Sequence, residues 1–310
     1  MTTCVDCLSA VPRGRFFCDL CRQPAPFRFF LGAHHPHWLA DPRFSDVPLF
    51  VSHRSLGRYR TLPRATGTWA LDSGGFTELS LYGRWFLQPA DYARSVLRYR
   101  DEVGGLAWAA PQDWMCEPQI RQATGLTVEE HQRRTIASVQ ELRALGAPVI
   151  PVLQGWGLWD YLRHVEGYDR AGIDLRAEPV VGVGTVCRRQ KTGMAATLMH
   201  MLHAEGIRTH GFGFKATGLR ACHTAMASAD SLAWSYHARR EPPMPGHSAR
   251  HKNCANCPDF ALSWREDLLA SLPRTSGWTA PLFGEDRSAE VAREADELAA
   301  LGAAAWRRTA

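Results

Sequence analysis

From Phe27 onward the chain alternates short apolar runs with amphipathic or turn-rich stretches. The runs fall at 27–32, 48–53, 68–72, 105–110, 148–154, 179–186, 209–214 and 226–234, and each has the length of a strand. Helical spacing is clearest after Thr127-Val-Glu-Glu130, a capping box that leads into Ile136, Val139 and Leu142. Further helices are predicted over 89–103, 158–165 and 192–205. Eight strands with intervening crossovers predict an α/β fold of the (β/α)8, TIM-like barrel class, spanning 26–240. The barrel is a little shorter than usual, so the crossovers between the first three strands are expected to be short or non-helical.

In such a barrel the loops after the strands form one face, and reactive groups gather there. The ends of the predicted strands carry Asp72, then Asp113, Gln154-Gly155, Gly182-Val183-Gly184, Phe212 and finally Asp230. The segment Trp69-Ala70-Leu71-Asp72-Ser73-Gly74-Gly75-Phe76 is the most informative. Its apolar run ends in a carboxylate, and Ser73-Gly74-Gly75 lets the backbone turn sharply and come close to a ligand. Turn chemistry alone accounts for these residues equally well. The repetition of the pattern at other strand ends favours a site. Three carboxylates, an amide and bare glycine backbone suit a flat, hydrogen-bonding heterocycle, with Phe212 or Trp114 stacking on its ring. Two carboxylates then remain for displacement at a sugar C1′, one as nucleophile and one as proton carrier.

Composition narrows the class. The chain has 310 residues, 45% of them apolar, enough for a substantial core. It contains no run long enough to cross a membrane and no leader pattern at its start, so the expectation is a cytoplasmic protein, in a bacterial host cell if phage-encoded. The net charge of +5 is carried mainly by arginine, a modest pointer to nucleic acid. Nine cysteines fall largely in C-x-x-C pairs, which favours metal over disulfides. Cys4, Cys7, Cys18 and Cys21 supply four thiolates for a tetrahedral Zn2+ site, predicting an N-terminal zinc ribbon over 1–25. His251, Cys254 and Cys257 suggest a second Zn2+ site in a C-terminal segment of 241–310, with His247 less certain as a ligand. That segment also carries two amphipathic patterns, 259–272 and 288–303, expected to pack on the barrel. The cluster His34-His35-Pro36-His37 reads as a polar rim, and Cys187 as a packing residue.

Over 27–240 these residues resemble the tRNA-guanine transglycosylases, and more closely their DNA-modifying relatives of the DpdA type. Asp72-Ser73-Gly74-Gly75-Phe76 matches the most specific motif of that superfamily, although Thr77 stands where glutamine is usual. The resemblance implies that Asp113, Gln154-Gly155 and the backbone of Gly182-Val183-Gly184 recognise the base, with Ser73 and Gly74 beside them. It implies that Asp230 attacks C1′ and displaces guanine, and that Asp72 takes a proton from the incoming 7-deazaguanine, such as preQ0 or a derivative. The surroundings of Asp230, Ser231-Leu232-Ala233-Trp234, look more like the DNA-modifying branch, so DNA is the expected polymer and tRNA the alternative. The stretch after the barrel is short, so a separate RNA-binding domain is not expected there. Arg188, Arg189 and Lys191, with Arg239, Arg240, Arg250 and Lys252, are expected to grip phosphates near the mouth. Two other classes stay open: a nucleosidase or retaining glycosidase using Asp72 and Asp230, and a silent nucleic-acid-binding module. The second is disfavoured because buried carboxylates without a role cost stability. Which deazapurine is used, and whether the chain forms a homodimer, are not legible.

Overall fold

The computed structural model describes residues 2–3, 10–11, 27–186, 193–247 and 251–274. Near the start, β1 (Thr2–Thr3) and β2 (Ala10–Val11) pair antiparallel. The cysteines of the expected ribbon lie outside the described residues, as do Cys187 and the 288–303 pattern.

The remaining strands are β3 (Arg28–Ala33), β4 (Leu49–Ser52), β5 (Trp69–Asp72), β6 (Leu106–Ala109), β7 (Val152–Leu153), β8 (Val181–Val183), β9 (Thr209–Gly211) and β10 (Ser228–Ser231). They form one parallel sheet in the order β6-β5-β4-β3-β10-β9-β8-β7, so that the first strand of the barrel pairs with the last. At the other join the Ala109 N–H donates to the Pro148 carbonyl at 3.0 Å, and the Ile150 N–H donates to the Ala109 carbonyl at 3.1 Å. These bonds and the parallel bridge Ala109–Val149 carry the sheet round into a TIM-like (β/α)8 barrel.

Strand periodicity of two sorts the residues between the barrel interior and the surrounding helices. Leu31, Leu49, Val51, Leu71, Leu153, Val181, Val183 and Ala229 join the large outer core. Phe30, Ala70, Trp108, Ile150 and Val180 form a separate interior cluster, with Phe50 and Phe212 packed against it. One step further along the strands the inward positions turn polar, at Ser52, Asp72, Gln154 and Asp230, and these line a cavity at the C-terminal mouth. The same alternation that fills the barrel below therefore aims these polar groups at the mouth.

The first two crossovers are minimal, as expected. Two 3-10 turns, Pro36–Ala40 and Pro42–Phe44, follow β3, and the single-turn α1 (His53–Leu56) follows β4. The other helices are α2 (Gly75–Tyr82), α3 (Pro89–Glu102), α4 (Pro118–Thr124), α5 (Val128–Ala144), α6 (Leu158–Arg170), α7 (Met194–Ala204), α8 (Ala216–Cys222), α9 (Ala233–Ala238) and α10 (Pro258–Ala270). Thr127 caps α5, its hydroxyl accepting from the Glu130 N–H at 3.2 Å. The reciprocal half of the expected capping box is replaced, because the Glu130 carboxylate is drawn to Arg133 and Arg134 at 2.7 and 2.6 Å. The short α2, α4, α8 and α9 were not visible in the apolar pattern, since each has fewer than nine residues and too few turns to show a period. The run at 226–234 is broken for the same reason: β10 ends at Ser231 and α9 begins at Ala233.

Helix α10 closes against the outer core through Phe260, Ala261, Trp264 and Leu268. Trp234 on α9 is fully buried, stacks on Trp38 at 5.4 Å, and donates its indole N–H to the Gly32 carbonyl at 2.8 Å. The segment after the last barrel strand is thereby pinned to the first. Among the described residues no helix is long and apolar enough to cross a membrane.

Candidate active site

The cavity at the mouth has a volume of about 290 Å3, near the lower end of ordinary ligand pockets at about 300 Å3. Asp72, Asp113, Gln154, Gly184, Phe212 and Asp230 all line it, drawn from six strand ends. Ser73, Gly74, Gly155, Gly182 and Val183 are not among the lining residues. Ser73 is buried, and Gly74 adopts φ +81 as the N-cap of α2, so the Ser-Gly-Gly segment shapes the turn from β5 into that helix. A Cβ on Gly182 would meet the Phe212 ring at 2.5 Å, so this glycine makes room for that aromatic. A Cβ on Gly184 would fall on the Gln154 side chain. Val183 faces the outer core. Trp114 is also away from the cavity, held between the Arg134 guanidinium, 4.6 Å from its ring, and His131. Phe76, the last residue of the Asp72 motif, lines the cavity, as do Met115 and Glu117, which were not singled out by sequence.

One wall is a continuous hydrogen-bonded strip. Gln154 Nε2 donates to Asp113 Oδ2 at 2.5 Å, and the Thr185 hydroxyl donates to Gln154 Oε1 at 2.6 Å. Thr185 Oγ1 also accepts from the Cys116 N–H at 3.0 Å and lies 3.1 Å from Glu117 Oε2. Both ends of the Gln154 amide are therefore fixed by the protein, which decides which of its atoms faces which neighbour. Thr185 has φ 59, the single non-glycine residue at positive φ among the described residues. For a β-branched side chain that backbone is strained, and the strain is held by the hydroxyl contacts. From outside the barrel, Gln132 on α5 donates to the Gln154 and Asp160 carbonyls at 2.7 Å each, and the Tyr161 hydroxyl donates to the Gly184 carbonyl at 2.8 Å. Buried polar side chains of the helices thus hold the strand-end backbone in place.

The carboxylates sit in unlike surroundings. Burial raises the pKa of Asp72, and the charge of Asp230 adds to the effect. The Gly74 N–H, which donates to Asp72 Oδ1 at 3.1 Å, opposes it together with Ser52 and Arg54. Burial pushes Asp113 up to about 7, against the hydrogen bond from Gln154. Asp230 is 6% exposed, and two hydrogen bonds fall on its side-chain Oδ1: His210 Nε2 at 3.2 Å and the Gly213 N–H at 3.0 Å. His210 was missed in the sequence because its signal is a lone histidine inside an apolar strand. A two-residue count back from Phe212 along β9 would have shown that it faces the barrel interior.

The model of one protein family, described as DeoxyPurine in DNA protein A, matches residues 26–302. The chain belongs to the DpdA family. No curated protein matches this family member. Among solved structures it is similar to a protein assigned as a fructose-1,6-biphosphate aldolase from Coccidioides immitis, at 11% identity and a TM-score of 0.46 over 80% of this chain and 91% of that one. It is also similar to 2,3-dimethylmalate lyase of the PEP mutase/isocitrate lyase superfamily, at 13% identity and 0.40 over 79% and 94%. Both likenesses are too loose to bear on activity.

Beyond the barrel mouth, His247, His251, Cys254 and Cys257 bring four ligand atoms within 4.8 Å of one another. The sequence had named the last three and held His247 less certain, and the fold places His247 with them as a fourth donor. Both thiols are buried, and His251 Nε2 is buried without a hydrogen-bond partner, which is the state expected of a nitrogen meant for a metal. This His2Cys2 group could hold a metal ion. It is tied to the segment after β10, because the Ser235 hydroxyl on α9 donates to the Ala255 carbonyl at 2.8 Å. His34 lies 2.8 Å from the same hydroxyl, so that histidine belongs to this support and not to an exposed rim. Arg239 and Arg240 are exposed at the end of α9. Arg188, Arg189, Lys191 and Arg250 lie outside the described residues.

Proposed function

We propose that this chain is a pentosyltransferase that exchanges guanine in DNA for a 7-deazaguanine base through a covalent aspartyl–sugar intermediate. The observation that carries the reading is the division of labour in one cavity: a fixed amide–carboxylate strip on one wall, and two further carboxylates, Asp72 and Asp230, on other strand ends. Membership of the DpdA family supports DNA as the polymer.

In this reading Asp113, held by Gln154, accepts from the N–H donors on the edge of a guanine-like ring, and Phe212 packs on its face. Asp230 Oδ2 attacks C1′, the C1′–N9 bond breaks, and Asp72 gives a proton to the departing nitrogen. The incoming base then returns a proton to Asp72 and displaces Asp230 from C1′. A raised pKa suits Asp72 to this exchange, because the group must be protonated in one half-reaction and ionised in the other. A base in a duplex must be flipped out to reach the cavity, at a cost of a few kcal/mol. Zn2+ is the ion we assign to His247, His251, Cys254 and Cys257, where tetrahedral ligation by two thiolates and two imidazoles would brace α9 and leave the chemistry to the barrel.

The test is incorporation of a labelled 7-deazaguanine, offered with single-stranded DNA, double-stranded DNA and tRNA side by side. Incorporation into DNA supports the reading. Incorporation into tRNA alone would overturn the DNA assignment, and abasic sites without incorporation would make the protein a hydrolase.

A further inference from the structure

His210 lies inside the barrel with one ring nitrogen on each of two β10 side chains. Nδ1 is 2.9 Å from Ser228 Oγ, and Nε2 is 3.2 Å from Asp230 Oδ1. The ring is fully buried among aromatic side chains, with Trp108 and Phe212 centroids at 4.7 and 4.8 Å and Phe50 and Phe30 at 5.7 and 5.8 Å. The order Ser228-His210-Asp230 contains the groups of a hydrolytic triad, but their depth runs the opposite way. Asp230 lines the cavity, whereas Ser228 lies two residues deeper on the same strand and is not among the lining residues.

The attacking form of Asp230, the carboxylate, sets the direction of donation. As a carboxylate, Asp230 can only accept, so His210 Nε2 carries the proton that points at it. In the neutral ring Nδ1 is then an acceptor, and the Ser228 hydroxyl is the donor that keeps it so. With the Gly213 N–H also on Oδ1, that oxygen is engaged twice, and Oδ2 is the one presented for attack.

We propose that His210 is a positioning residue that holds Asp230 by Oδ1 and makes it a better leaving group in the second half of the exchange. The idea rests on the base-exchange reading above. When Asp230 Oδ2 bonds to C1′, Oδ1 becomes an ester carbonyl and its bond from His210 weakens. When the incoming nitrogen attacks C1′, the C1′–Oδ2 bond breaks and its electron pair returns to the carboxylate, where His210 Nε2 and the Gly213 N–H meet the returning charge. Donors placed where charge develops favour that step and cost little reorganisation. A bond to a charged group inside an apolar cage is the stronger kind.

The test measures the two half-reactions separately. Enzyme is incubated with guanine-containing DNA, the covalent adduct is trapped by denaturation, and release on adding a 7-deazaguanine is followed in a second sample. In His210→Phe, which keeps an aromatic ring in the cage, adduct formation is expected to persist while release slows about ten- to a hundredfold. The trapped fraction should therefore rise as exchange falls. His210→Gln, whose amide nitrogen reaches the place of Nε2, should restore release to within severalfold of the parent. Equal losses in both half-reactions with no rescue by Gln would show a packing role and overturn the proposal.

A readout without substrate keeps the two ideas separable. Nitrogen NMR at pH 8 should show the His210 ring protonated on Nε2, and Ser228→Ala should admit the other tautomer. A parent ring protonated on Nδ1 alone would overturn the proposal even if exchange occurs. Absence of any adduct with DNA or tRNA would overturn base exchange and the leaving-group role, while the tautomer still decides whether His210 donates to Asp230.

Discussion

The barrel mouth and the C-terminal His/Cys clip both bury groups that water would otherwise hold, and they meet the cost in different ways. In the clip, two thiols and two imidazoles point at one another within 4.8 Å, so a single cation would satisfy all four. At the mouth, Asp72, Asp113 and Asp230 are spread around an open cavity and share no such partner. Burial raises the pKa of Asp72 and Asp113 there. The clip can convert its polar groups into stability, whereas the mouth bears the cost of its buried carboxylates, which is how a functional site is commonly built.

Replacing Asp230 should give the largest effect and would break the comparison outright if it did not. An amide is no nucleophile toward C1′, so Asp230→Asn is expected to abolish the trapped covalent adduct and lower exchange by at least about a thousandfold, with little change in melting temperature. Adduct formation by that variant would remove the mouth's claim to chemistry.

Next in size is removal of metal from the clip. Thiolate ligation makes metal binding part of the folding free energy, so chelation or Cys254→Ser should destabilise the α9–α10 region by several kcal/mol. Hydrogen exchange should localise the loss to 233–270, and native mass spectrometry should show one metal fewer in the variant. If the N-terminal ribbon also binds zinc, the parent carries two ions. A parent with none would leave the clip an unoccupied set of donors and erase the contrast.

Asp113→Asn should sharpen the comparison by moving stability and activity in opposite directions. Burial pushes the folded carboxyl up to about 7 from its usual 3.8, so its contribution to stability is fully present below about pH 4 and is lost as the pH rises to about 7. Removing the charge should therefore raise stability at pH 8 by about 2–4 kcal/mol and leave it unchanged at pH 4, measured by denaturant titration at the two pH values. Base preference should weaken in the same variant, because the ring edge loses its charged acceptor. In the parent, KM for the free base should rise as the pH falls below about 7.

The smallest effects separate a glycine in the turn after Asp72 from one away from it. Gly74 has φ +81, and a Cβ there would sit 2.7 Å from Arg54 Cγ, whose guanidinium pairs with Glu78 at 2.7 Å. Gly125, the C-cap of α4, has φ +69 but nothing within 4 Å of an added Cβ. Gly125→Ala should cost only the backbone term, about 1 kcal/mol, while Gly74→Ala should cost more and disturb the turn that carries Asp72. Equal melting temperatures for the two would show that the Arg54 contact is soft.

The linear pattern by itself determined the barrel and most of its mouth. Strands buried on both faces leave long apolar runs, and a parallel barrel places every run's C-terminal end on one side, so Asp72, Asp113, Gln154 and Asp230 could be collected without coordinates. Two C-terminal cysteines and a histidine were likewise legible, because metal ligation demands close spacing along the chain. Only the tertiary structure decided which neighbours hold these groups. Thr185 is strained onto the Gln154 amide, His210 reaches across from β9 to β10, and His247 closes the clip. Gly182 turns out to make room for Phe212. Each of these depends on contact between segments distant in sequence or on one backbone angle, and neither leaves a periodic trace along the chain.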